Sequence, residues 1–174
     1  MGKMSTMAKS KKYDPEDASL KNILEEPSEP YYTSNNFLSP WRLLYNNKQE
    51  PSSSFQYVEN AMDGVPKSSA INLANTMDIP LKDMAFLLNI SYKTFARKKS
   101  GDKMDALTSS LTIEIANVIA EGITTFGSLQ KFRNWLQKPN RALSGHSPFS
   151  LLSTPTGIKM VQNVLGRINE GIYT

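Results

Sequence analysis

Cysteine is absent from the 174 residues, and histidine occurs once, at His146. The first absence excludes disulfide scaffolds, thiolate zinc sites and cysteine nucleophiles, and it fits a reducing compartment. The second rules out multi-histidine metal sites and argues against Ser-His-Asp catalysis. No apolar run approaches the roughly 18 residues that a membrane span needs. The basic stretch Met1 to Lys12 lacks the apolar core of a secretory signal. No constellation of acid, base and nucleophile is legible, so the expectation is a cytoplasmic, non-enzymatic protein without cofactor or metal.

What is present is charge concentrated in one place. Between Ser91 and Lys103, Lys93, Arg97, Lys98, Lys99 and Lys103 are opposed by Asp102 alone. This stretch therefore carries +4, the net charge of the whole chain. Such unevenness is the electrostatic footprint of a nucleic-acid contact. A solvated surface helix is the plainer alternative, and the surroundings must decide.

Organisation changes twice along the chain. Residues 1–63 form an N-terminal extension, first a polar tail interrupted by Pro15, Pro27 and Pro30, with at most a short helix over Asp17 to Leu24. Aromatic residues follow: Tyr31, Tyr32, Phe37, Trp41, Tyr45, Phe55 and Tyr57. So many rings require burial, on the rest of the chain or on a partner. From Gly64 onward the pattern is helical. Ser68 is expected to cap a helix carrying Ile71, Ala74 and Met77, and Pro80 to open the next. A long amphipathic helix is expected from Ala106 to Thr125, with Leu107, Leu111, Ile115, Val118 and Ile119 inward. Gly127 closes it and Ser128 caps its successor, which turns Leu129, Phe132, Trp135 and Leu136 to one side.

Leu81 to Lys99 has the form of a helix-turn-helix. Ala85 is small enough for two helices to cross, Ile90 fills the turn, and Phe95 anchors the second helix. With Phe95 and Ala96 turned inward, Ser91, Tyr92, Lys93, Thr94, Arg97 and Lys98 face outward. These are the candidate DNA-binding residues, polar side chains for base edges flanked by cations for phosphates.

The C-terminal block is more specific. Trp135-Leu136, Pro139-Asn140, Ala142-Leu143, Gly145, Pro148 and Leu151-Leu152 are followed by Thr154, Gly157, Val161, Leu165, Arg167, Ile168 and Gly171. In these residues at this spacing the chain resembles the Xre/MbcA/ParS antitoxins, over about Gly64 to Thr174. Two positions depart from the family pattern: Ser144 replaces a glycine, and Glu114 stands where a basic residue is expected. Read physically, Ser147-Pro148 and Thr154-Pro155 are helix starts. Ile158, Val161, Leu165, Ile168 and Ile172 make one apolar stripe.

The resemblance implies an all-α protein with an extended, partly ordered N-terminal segment (1–63). An Xre-like helix-turn-helix DNA-binding domain (64–127) and a small helical toxin-binding domain (128–174) follow. It implies the antitoxin of a type II toxin–antitoxin pair, which blocks the NAD site of a RES-domain toxin and represses its own operon. Operator DNA and the toxin are the expected partners, and reading a two-fold operator calls for a homodimer. The candidate toxin-binding residues are Trp135, Asn140, Arg141, Arg167, Glu170, Ile172 and Tyr173, with the last two projecting beyond the final helix. A stand-alone helix-turn-helix regulator with a C-terminal dimerisation module is the alternative.

Overall fold

The computed structural model describes residues 39–45, 51 and 53–172. The expectations for the N-terminal tail, and for Tyr31, Tyr32 and Phe37, lie outside these. The described elements are α1 (Pro40–Tyr45), α2 (Ser54–Asp63), α3 (Lys67–Met77), α4 (Leu81–Leu87), α5 (Tyr92–Arg97) and α6 (Ala106–Phe126). They continue with α7 (Leu129–Gln137), a 3₁₀ turn (Arg141–Leu143), α8 (Pro148–Leu151) and α9 (Pro155–Asn169). Among the described residues the only strand-like pairing is an isolated bridge between Pro66 and Lys103. The protein is all-α, as its periodicity predicts.

Helix α6 is the axis of the molecule. Leu111, Ile113, Ile115, Ala116, Val118, Ile119 and Ala120 are all buried, a set that covers far more than one stripe. A helix apolar around most of its circumference has to be enclosed by others. Helices α1, α2 and α3 pack on it from the N-terminal half, and α7 and α9 from the C-terminal end. Of the expected inner stripe, Leu107 is the exception, 68% exposed: Thr108 and Ser109 beside it are buried, but Leu107 lies at an open cleft next to Val58 and Met62 of α2. The aromatic stretch divides similarly. Trp41 is buried against Tyr45 and Tyr57, at ring separations of 4.3 and 5.7 Å, whereas Phe55 is exposed.

Helix starts follow side-chain chemistry in most cases. Ser53, Ser91, Asp105, Ser128, Ser147 and Thr154 each accept a hydrogen bond from a first-turn backbone N–H. The bond from Thr108 N–H holds the Asp105 carboxyl below its ordinary pKa. Helix α3 is different from expectation. It starts at Lys67, with Pro66 in the cap position, and Ser68 is not its cap. Its free N–H groups are instead satisfied by the loop after α5: Lys67 N donates to Asp102 O (3.0 Å) and Ser68 N to Ser100 O (2.9 Å). Pro80 likewise precedes α4 rather than opening it.

Two glycines mark close approaches. A Cβ at Gly122, near the C-terminal end of α6, would collide with the Phe132 ring, and one at Gly157 with the Leu151 carbonyl oxygen. A ring can tilt, but a backbone carbonyl cannot. Gly157→Ala is therefore expected to push α9 off α8 and to destabilise the protein by about 1–3 kcal/mol, measurable as a lowered denaturant midpoint. Equal midpoints for variant and wild type would mean that the two helices can separate freely.

The same core raises the pKa of two α6 carboxyls. Burial lifts Glu121 above the ordinary glutamate value, and it lifts Glu114 too, partly offset by a hydrogen bond from Asn117. The folded state thus holds these protons more tightly than the unfolded chain. Ionisation costs stability as pH rises above the ordinary glutamate pKa, and below it the cost is absent. Glu121→Gln should accordingly raise Tm at pH 7, and the gain should shrink as pH falls toward about 4. A gain independent of pH would have another origin.

Candidate functional site

Helices α4 and α5 are joined by Leu88 to Ser91, with Asn89 in the left-handed region at φ 55°. Ala85 is buried where the helices cross, Ile90 packs against the core, and Phe95 is fully buried. This is the helix-turn-helix geometry that the sequence predicts. Ser91, Tyr92, Lys93, Thr94 and Arg97 are exposed and Lys98 is half-buried. Ala96, expected to turn inward, is exposed, because a six-residue helix can bury only the face that Phe95 occupies.

The polar groups on this surface are not equally available. Ser91 Oγ accepts from Thr94 N–H (3.0 Å) and lies 2.8 Å from Thr94 Oγ1, so the two hydroxyls hold the helix start. Lys98 Nζ donates to Lys103 O (2.9 Å), and Lys103 pairs with Asp63 at 2.6 Å. Lys93, Arg97 and Lys99 have no ion-pair partner among the described residues, which leaves them as the cations free to meet phosphate.

Lys67 was not legible as part of this unit. Only 9% exposed, it has its Nζ donating to Lys98 O (2.7 Å) and Ala96 O (3.4 Å) while lying 5.0 Å from the Phe95 ring centre. It therefore satisfies carbonyls left free at the end of α5. One signal was present. A lysine in the first turn of a helix opposes the macrodipole and needs compensation elsewhere.

The C-terminal unit is organised around a ring cluster and a self-closed loop. Phe126, Phe132 and Trp135 lie 5.3 to 6.4 Å apart. Asn140 Oδ1 accepts from Ala142 N–H (2.8 Å), and Asn140 N and O bond to His146 O and Gly145 N. Ser144 adopts φ 54°, a conformation that costs a non-glycine residue about 1–2 kcal/mol. It is a conformation that glycine, the residue expected there, adopts without that cost. His146 is exposed in this loop.

A cleft of about 430 Å³ opens between the end of α6, α7, the 3₁₀ turn and α9. Trp135, Asn140, Arg167 and Ile172 line it together, although they are widely spaced in the sequence. Arg141 and Glu170 are exposed outside its lining, and Tyr173 lies outside the described residues. Sequence reasoning also missed two ties to the helix-turn-helix. Arg133 on α7 donates to Thr76 O (2.8 Å) and Asn75 O (3.2 Å) at the end of α3. Asn89 Nδ2 donates to Ser153 O (2.6 Å), just before α9.

These two surfaces define a helical protein that combines a helix-turn-helix with a C-terminal recognition unit. A family model for the Antitoxin Xre-like helix-turn-helix domain matches residues 56–117. A second, for the Antitoxin Xre/MbcA/ParS C-terminal toxin-binding domain, matches residues 122–171. The chain is 28% identical over 127 residues to the Antitoxin Xre of Photorhabdus laumondii, covering 71% of this chain and 86% of that one. Over 56 residues it is 36% identical to the Antitoxin Xre of Pseudomonas putida, covering 32% of this chain and 35% of the relative. These matches support membership of the Xre/MbcA/ParS antitoxin family, and with it an antitoxin of a toxin–antitoxin pair.

Lys67→Met retains an unbranched apolar side chain at this buried position but leaves the Ala96 and Lys98 carbonyls without their donor. The expected cost is about 1–3 kcal/mol, with amide-exchange protection falling first around 95–99. Protection lost evenly over the whole protein would mean that Lys67 supports the core at large rather than α5.

Proposed function

We propose that this protein neutralises a RES-domain toxin by covering its NAD site and represses the operon encoding both. The observation that carries this is the tandem order of the two family matches, each falling on a unit with a recognition surface. Helix α5 enters the major groove, with Tyr92 and Thr94 near base edges and Lys93 and Arg97 on phosphates. The C-terminal unit binds the toxin through Trp135, Asn140, Arg141, Arg167, Glu170 and Ile172, with Tyr173 beyond them. Its likeness to toxin-binding domains supports this assignment, and the RES identity of the toxin rests on the resemblance of the Trp135 to Gly171 block. Functionally the chain divides into 1–63, 64–127 and 128–174. It acts as a homodimer in the cytoplasm, since operator half-sites one helical turn apart need a two-fold reader. The antitoxin itself catalyses nothing in this scheme.

The reading is tested by co-expression with the product of the neighbouring gene. Growth should be restored, the two chains should copurify, and NAD⁺ loss in the cell should stop. Copurification without any effect on NAD⁺ would separate the antitoxin reading from the RES assignment.

DNA binding has its own test. Lys93→Ala with Arg97→Ala should weaken operator binding and flatten its logarithmic salt dependence by roughly two units, with toxin binding unchanged. Lys98→Ala should add little, because its ammonium is already engaged with Lys103 O. An unaltered slope in the double variant would remove α5 from the groove.

A further inference from the structure

We propose that the cleft between α7 and α9 is a socket that receives a segment of the toxin bearing a carboxylate next to an apolar side chain. The inference rests on the antitoxin reading and specifies the chemistry of its protein partner. Phe126 and Trp135 supply flat aromatic surface on one side, and Ile168 and Ile172 supply aliphatic surface on the other. Ile172 remains 50% exposed, so this apolar wall is incompletely covered by the chain itself. The volume, about 430 Å³, lies in the range of roughly 300–1,000 Å³ typical of ligand-accepting pockets.

Charge selects the occupant. Lys131 and Arg167 both line the cleft, one from the first turn of α7 and the other from the last turn of α9. Neither has an ion-pair partner among the described residues, and no described carboxylate lines the cleft. Lys131 also stands where the helix dipole opposes a cation, so α7 gains nothing from its charge. Two unpaired cations flanking apolar walls complement a side chain or chain end that is anionic and attached to an apolar neighbour. The match of residues 122–171 to a toxin-binding domain indicates where such a segment comes from. In this arrangement the antitoxin accepts a piece of the toxin here, beside whatever it inserts elsewhere.

The test uses full-length antitoxin and the purified product of the neighbouring gene. Arg167→Glu and Lys131→Glu, singly and together, should weaken the complex by at least about tenfold each and reduce its salt dependence. Operator binding and melting temperature should stay at wild-type values. Changing toxin surface Asp and Glu residues to Lys one at a time should yield a variant that restores binding to the reversed antitoxin. If a reversal unfolds the protein, Arg167→Gln and Lys131→Gln take its place, with the same loss of affinity and salt dependence expected. Wild-type affinity in folded variants would overturn the socket while leaving the antitoxin reading intact. Failure of the wild-type chain to bind the neighbouring product would overturn both. Saturable binding of inorganic phosphate or a nucleotide at Arg167 and Lys131, with toxin affinity unaffected by their reversal, would assign the cleft to a small anion and also overturn it.

Discussion

The structure depends on covering α6. Its buried residues extend around most of the helix, and water has to be excluded from both its N-terminal and C-terminal halves. The N-terminal half is covered by α1, α2 and α3, and the other end by α7 and α9. The C-terminal surface is therefore assembled directly against this rod, whereas α5 packs on α4, α4 on α3, and α3 in turn on α6. Removal of apolar side chains from water along α6 contributes favourably to the fold. Carboxyls at Glu114 and Glu121 are tolerated only at its margins, where burial already raises their pKa.

Hydrogen bonds then set orientation. The start of α3 is satisfied by the loop after α5, and the end of α5 is satisfied by Lys67 from α3. Each helix completes the other's unpaired backbone groups, which fixes α5 despite its six residues. At the other end of α3, Arg133 takes up the carbonyls of Asn75 and Thr76. These contacts are few, but each satisfies a group that would be costly to leave unbonded in a partly buried place.

Much of the fold was legible because helices announce themselves by period and caps. Ser91, Ser128 and Thr154 cap where the sequence places them, Gly127 closes α6, and Ala85, Ile90 and Phe95 take their expected positions. What escaped depended on long-range partners. Ser68 has the chemistry of a cap, yet the loop at 100–102 supplies the acceptors instead. Leu107 fits the apolar stripe in sequence but lies at an open cleft beside α2 rather than in the core. The resemblance placed Trp135, Asn140, Arg167 and Ile172 on the toxin-binding list. Their convergence on one cleft required the packing of both α7 and α9 against α6, which no local pattern encodes. Lys131 was missed for the same reason.

The hydrogen bond from Asn89 to the Ser153 carbonyl constrains the inheritance of this protein as well as its shape. Asn89 sits in the turn that aims α5, and Ser153 sits immediately before α9. A hybrid that joined this helix-turn-helix to the C-terminal unit of a relative would keep this bond only where the relative's backbone brought a carbonyl to the same point. It would also break the fit of Arg133 to the end of α3. Exchanging either half for that of a relative would therefore have to preserve both the backbone position before α9 and a donor at position 133.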